Sequence, residues 1–121
     1  MTTKILAVDD SRTMRNMLKS ALMDAGFEVD LAEDGVEGLE RLDQVQPDLV
    51  ITDINMPRLD GFGMIKGVRN RATMAALPIL VLTTETGDTL KKRARDAGAT
   101  GWIVKPFDPD KLVSAINRLV V

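Results

Sequence analysis

The sequence predicts an α/β domain, built as a five-stranded parallel sheet with helices on both faces. Three observations predict it. Short apolar runs alternate with segments of helical period along the whole chain. Three of the runs are nearly continuous in apolar residues, as strands buried on both faces of a parallel sheet are. The turns between segments are short, as they are between successive βαβ units.

The first strand is expected at residues 5–8, followed by a helix that carries Met14, Leu18, Ala21, Leu22 and Ala25 on one face. Gly26 stands where a helix C-terminus favours glycine. Glu28–Ala32 alternates polar with apolar residues and reads as an edge strand, whereas residues 5–8, Leu49–Thr52 and Ile79–Thr83 read as buried central strands. Further helices are expected near residues 36–44, 62–70 and 89–97. Gly101–Val104 supplies the fifth strand, and the last helix carries Leu112, Ile116, Leu119 and Val120 on one face. Right-handed crossovers leave few ways to wind such a sheet. The functional crevice is then expected beyond the carboxyl ends of the strands, where the winding reverses.

A chain of 121 residues fits one domain, and at that size folding buries roughly two-thirds of the surface an unfolded chain exposes. Residues 1–121 show no repeat, linker or low-complexity segment and are expected to form a single domain. With no Cys and no His there is no disulfide, thiolate, imidazole base or zinc ligand. Any chemistry must run on carboxylates, hydroxyls, lysine and a hard metal. A net charge of −2 from 16 basic and 18 acidic residues, intermixed, argues against a nucleic-acid partner and against an anionic membrane. No apolar stretch approaches the roughly 20 residues of a spanning helix, so a cytoplasmic protein is expected.

What the strands deliver at their carboxyl ends is more specific. Taken as central strands, the first is followed by Asp9 and Asp10, the third by Asp53, the fourth ends at Thr83, and the fifth is followed by Lys105. All would face one crevice. Three carboxylates crowded there repel one another unless a cation compensates. Oxygen donors without imidazole or thiolate favour Mg²⁺, or Mn²⁺ in its place, and Mg²⁺ recruits phosphate oxygens. Asp53 would then attack phosphorus as a nucleophile, with Lys105 neutralising charge and the Thr83 hydroxyl bonding a phosphoryl oxygen. Phosphoryl transfer rests mostly on positioning and electrostatics, so no histidine base is needed. Each residue also has a plainer role: Asp9, Asp10 and Ser11 as helix caps, Asp53 as a turn former, Thr83 as a strand residue, Lys105 as a solvated side chain. Capping accounts for neither Asp53 nor Lys105.

The segments Val8 to Ser11 (VDDS), Asp53 to Gly61 (DINMPRLDG), Leu82 to Glu85 (LTTE) and Trp102 to Phe107 (WIVKPF) resemble the response-regulator receiver family, in particular the free-standing chemotaxis regulators of CheY type, over essentially the whole chain. The resemblance implies the flavodoxin-like strand order 2-1-3-4-5, for which CheY is a standard example, and a receiver domain with no output domain. It makes Asp53 the phosphorylation site, Asp10 and Asp53 direct Mg²⁺ ligands, Asp9 a ligand through water and the Asn55 backbone carbonyl a further ligand. It makes Thr83 and Lys105 the catalytic partners, Thr83 and Trp102 the switch, and Asn55 and Glu85 the positions that tune phosphoryl lifetime. It also implies a cis peptide at Lys105-Pro106. Trp102 stands where Tyr or Phe is commoner, which bears on the amplitude of the switch.

In the family the face of the fourth helix, fifth strand and fifth helix changes on phosphorylation; here it includes Lys91, Lys92, Arg93, Arg95, Trp102 and Lys111. Those charges form either a solvated helix face or a docking surface for an acidic or amphipathic peptide. The implied partners are a histidine kinase of chemotaxis type, a flagellar-motor switch protein as target and a phosphatase, with the chain itself a monomer and not an enzyme. Competing readings are a phosphorelay carrier, a phosphate sink, a Mg²⁺-dependent phosphatase of haloacid-dehalogenase type and a flavin-binding module. The phosphatase would need a second acid where this chain has Asn55, and VDDSRT after the first strand would repel a flavin phosphate in the absence of metal.

Overall fold

A computed structural model describes residues 2–120. In chain order the elements are β1 (Lys4–Val8), α1 (Arg12–Asp24), β2 (Glu28–Ala32), α2 (Gly35–Val45), β3 (Leu49–Thr52), α3 (Gly61–Arg69), a 3₁₀ turn (Ala72–Met74), β4 (Ile79–Thr83), α4 (Asp88–Ala97), β5 (Gly101–Val104) and α5 (Pro109–Leu119). All strand pairings are parallel and the order is β2-β1-β3-β4-β5, as the resemblance implied. The winding reverses between β1 and β3, which pair side by side with Val8 opposite Thr52. The carboxyl ends of these two strands therefore open the switch-point crevice.

Alternation of side chains across the sheet explains why the central strands are apolar throughout. Leu6 and Val8 of β1, with Val50 and Val81, pack on one face beneath Leu42, Met64, Ile65 and Ala94 of α2, α3 and α4. Ile5 and Ala7, with Leu49, Ile51, Leu80 and Leu82, pack on the other face beneath Leu18 and Leu22 of α1 and Leu112 and Ile116 of α5. Each face is thus its own core.

Side-chain caps start α1, α2, α3 and α5: Ser11 accepts from Met14 N–H, Asp34 from Glu37 N–H, Asp60 from Gly63 N–H and Asp108 from Asp110 N–H. Gly26, with φ of 92°, follows the end of α1 as expected. Some expectations shift. Ala25 is the exposed C-cap of α1 and not part of its buried face. Val120 lies just past α5, half-buried against the core. β5 pairs only with β4 among the described residues and is an edge strand, with Val104 exposed, so the lysine after it comes from the sheet margin and not from a central strand. No helix among the described residues is long and apolar enough to cross a membrane.

Candidate functional site

Asp9 follows the last residue of β1 and is 1% exposed. Its Oδ1 accepts the Ser11 N–H at 2.9 Å, and its carbonyl accepts from Arg15 Nη1 at 2.7 Å. The cap of α1 is Ser11 alone, which releases Asp9 from that duty. Asp10, next in the chain, is exposed at the rim.

Asp53 continues from β3. Its N–H bonds the Val8 carbonyl at 3.0 Å, its Oδ1 accepts the Ile54 N–H at 2.6 Å, and its carbonyl accepts the Thr52 hydroxyl at 2.9 Å. Gly61 is required beside it, because a Cβ there would lie 2.2 Å from the Asp53 carbonyl oxygen. Asp9, Asp10 and Asp53 can each bring an oxygen within 4.8 Å of the others.

Lys105 reaches this cluster from beyond β5. Its N–H bonds the Thr83 carbonyl at 2.8 Å, the Lys105-Pro106 peptide is cis, and its Nζ donates to Asp9 Oδ2 at 2.6 Å and to Asp53 Oδ2 at 2.7 Å. Burial works against the ammonium, but the hydrogen bonds to Asp53 and Asp9 outweigh it and hold the Lys105 pKa above the ordinary lysine value. Burial also pushes the Asp9 carboxyl above the usual aspartate range, against the lowering pull of Lys105 and of the Ser11 N–H. One cation thus faces three carboxylates. The donor set is all oxygen, and it fits a hard divalent ion such as Mg²⁺ or Mn²⁺.

Thr83 is fully buried at the end of β4, and its hydroxyl accepts the Glu85 N–H at 3.3 Å. Glu85 in turn joins two other predicted residues. Its Oε1 accepts from Asn55 Nδ2 at 2.8 Å, bridging the loops after β3 and β4, and its carbonyl accepts from Trp102 Nε1 at 3.3 Å. Trp102 is half-buried against the core formed with α2, α3 and α4. The structure therefore joins Asp9, Asp53 and Lys105 directly, and links Thr83, Asn55 and Trp102 through Glu85. Strand-end reasoning missed Arg15, Asp34 and Arg58, which hold the surrounding backbone; only the helix-cap position of Asp34 carried a sequence signal.

A doubly wound sheet that gathers an acid triad and a lysine at its switch point has the plan of a signalling receiver. The family model described as the response regulator receiver domain matches residues 5–117, and the chain belongs to that family. A curated relative, the response regulator MprA of Mycobacterium leprae, is 41% identical over 117 residues, covering 97% of this chain and 50% of that protein. The chain spans about half the length of the curated relatives it matches. Among solved structures, the Vibrio cholerae chemotaxis protein CheY4 is similar at 44% identity and a TM-score of 0.94, with 100% of both chains covered. A response regulator protein from Burkholderia multivorans is similar at 50% identity and a TM-score of 0.81, covering 98% of this chain and 95% of that one.

Proposed function

We propose that this receiver takes a phosphoryl group on Asp53 from a histidine kinase and passes the change to a protein target through the face formed by α4, β5 and α5. The observation that carries the reading is the Lys105 ammonium bonded at once to Asp53 and Asp9 in the acid cluster. No cap or turn requires that arrangement.

Asp9, Asp10, Asp53 and the Asn55 carbonyl would hold Mg²⁺, which supplies neutralising charge to phosphoryl oxygens when bound. A carboxylate oxygen of Asp53 forms the new bond to phosphorus as the bond from phosphorus to the donor's leaving atom breaks. Lys105 balances charge on the phosphoryl oxygens, and the Thr83 hydroxyl turns to donate to one of them. That turn gives up the Glu85 N–H. Because the Glu85 carbonyl also holds the Trp102 indole, the rearrangement is passed to Trp102 and the surface around it.

Of the basic residues of α4, Lys92 is paired with Asp96 at 2.9 Å, and Arg93 turns toward α3, where it stacks on the Phe62 ring at 3.9 Å. Lys91 and Arg95 flank Trp102 along one hollow, and Lys111 lies on its other side along a second. An acidic or amphipathic peptide suits this basic rim with an aromatic centre. The likeness to a chemotaxis protein favours a chemotaxis kinase as donor, and the family resemblance of the sequence would make a flagellar-motor switch protein the target.

The test is labelling by acetyl phosphate with Mg²⁺. The wild type is expected to take up hydroxylamine-sensitive label and Asp53→Asn none; stoichiometric label on that variant would sink the assignment. A pull-down comparing phosphorylated with unmodified chain identifies the target.

A further inference from the structure

Outside the acidic pocket, Asp34 is the other buried carboxylate among the described residues, at 3% exposure. Both of its oxygens are engaged. Oδ1 accepts the Glu37 N–H at 2.9 Å and Arg58 Nη2 at 3.1 Å, while Oδ2 accepts Arg58 Nε at 2.8 Å. The cap of α2 needs only the first of these bonds. The other two form a bidentate clamp on a residue 24 positions further along the chain.

Arg58 lies in the loop between β3 and α3 and has φ of 64°, in the left-handed region that residues with a side chain seldom adopt. Such a backbone state persists where surrounding contacts over-determine it. Beside it the Leu59 carbonyl accepts the Gly35 N–H at 3.1 Å, and a Cβ on Gly35 would sit 2.5 Å from that same oxygen. The loop backbone therefore rests directly on the first residue of α2. At its near end the loop is tied to Asp53 itself, through Ile54 N–H to Asp53 Oδ1 at 2.6 Å, and it closes through Gly61 N–H to the Ile54 carbonyl at 2.8 Å. Between the two anchors stands Asn55.

We infer that the Asp34–Arg58 clamp fixes the course of the backbone from Asp53 to Gly61 and thereby sets the metal affinity of the acidic pocket. The inference rests on the Mg²⁺ site proposed above. Neither residue touches the ion in this reading; both are positioning residues. Arg58 is also a positive charge on the loop that follows Asp53. Its removal would tighten Mg²⁺ binding if charge alone mattered, and weaken it if the clamp mattered. The sign separates the two.

The experiment titrates the full chain with MgCl₂ alone by calorimetry. Arg58→Gly deletes the clamp while suiting the left-handed backbone. Its Mg²⁺ affinity is expected to fall about tenfold, the lower end of what losing an outer partner costs a metal site. Arg58→Lys, which keeps the charge and loses the fork, is expected to fall less. Asp34→Asn combined with Arg58→Gly is expected to bind within about twofold of Arg58→Gly alone, because both act through one contact. Unfolding curves in chelator establish that each variant is folded; should Arg58→Gly lose the fold, Arg58→Lys carries the test on the same terms. Equal or tighter Mg²⁺ binding by the folded variant, beside a wild type that binds, overturns the clamp and leaves the metal site standing. A wild type that takes up no Mg²⁺ overturns both.

Discussion

Lys105→Met isolates the charge at the centre of the site, because methionine keeps much of the lysine stem and removes the ammonium. The lysine side chain is 10% exposed and its partners Asp9 and Asp53 are 1% and 11% exposed, at 2.6 and 2.7 Å. At an effective dielectric constant of about 20, unit charges at that separation attract by about 6 kcal/mol, much of which is cancelled by the cost of removing them from water. Breaking such a pair from one side typically costs about 3–5 kcal/mol, since the other charge stays buried. Asp10 at the exposed rim leaves a path for water, so the lower end, about 3 kcal/mol, is expected, or a melting point lower by about 10 °C. The assay is thermal unfolding in chelator and in saturating MgCl₂. With Lys105 gone the carboxylates lose their only bonded cation among the described residues. Mg²⁺ should therefore raise the melting point of the variant by more than that of the wild type. A loss below about 1 kcal/mol, the size of an exposed pair, or a smaller Mg²⁺ increment than in the wild type, would refute the reasoning.

Gly61→Ala would drive a methyl group against the Asp53 carbonyl and the Ile54 Cα, both backbone atoms; a loss of at least about 1–3 kcal/mol is expected. A urea midpoint unchanged from the wild type would contradict the close loop packing. Hydrogen bonds from Arg58 hold the Asp34 carboxyl below its ordinary value of 3.8. A depressed carboxylate pKa stabilises the fold above the unfolded-state value and loses that contribution as pH falls through the folded-state value. The stability gap between wild type and Arg58→Gly should therefore be full at neutral pH and close below pH about 3.8; a gap that widens in acid would rule the linkage out. Trp102 is the sole tryptophan of the chain, and its emission and quencher access should change when acetyl phosphate and Mg²⁺ phosphorylate the protein. An unchanged spectrum at full phosphorylation would separate Trp102 from the switch.

Much of the fold was legible in the sequence because it is written in local period. The apolar runs end where β1, β3 and β4 end, since a strand buried on both faces stays apolar up to its last residue, which is Thr52 in β3 and Thr83 in β4. The residues at and just beyond the ends of those runs were therefore identifiable as site candidates, namely Asp9, Asp10, Asp53 and Thr83, and Lys105 follows the fifth strand in the same way. Helix ends shifted by a residue or so, as at α2 and α3, where cap geometry and not periodicity decides. The division of labour at the first turn of α1 was not legible either. Ser11 and Asp9 are equally plausible caps by residue type, and only the structure gives the cap to Ser11 and the lysine to Asp9.

What the sequence by itself determined is the order of strands and helices and the chemical kit at the strand ends. Only the tertiary structure decided which members of that kit touch. Lys105 meets Asp9 across 96 residues of chain; Glu85 gathers Thr83, Asn55 and Trp102; Arg58 leaves the site to grip Asp34. β5 proved to be a sheet margin although the lysine just after it reaches Asp53 at the centre. The physical reason is one of range. Periodicity records which side of a strand or helix meets the core, a property of a few consecutive residues, whereas these contacts depend on how the crossovers lay separate strands side by side.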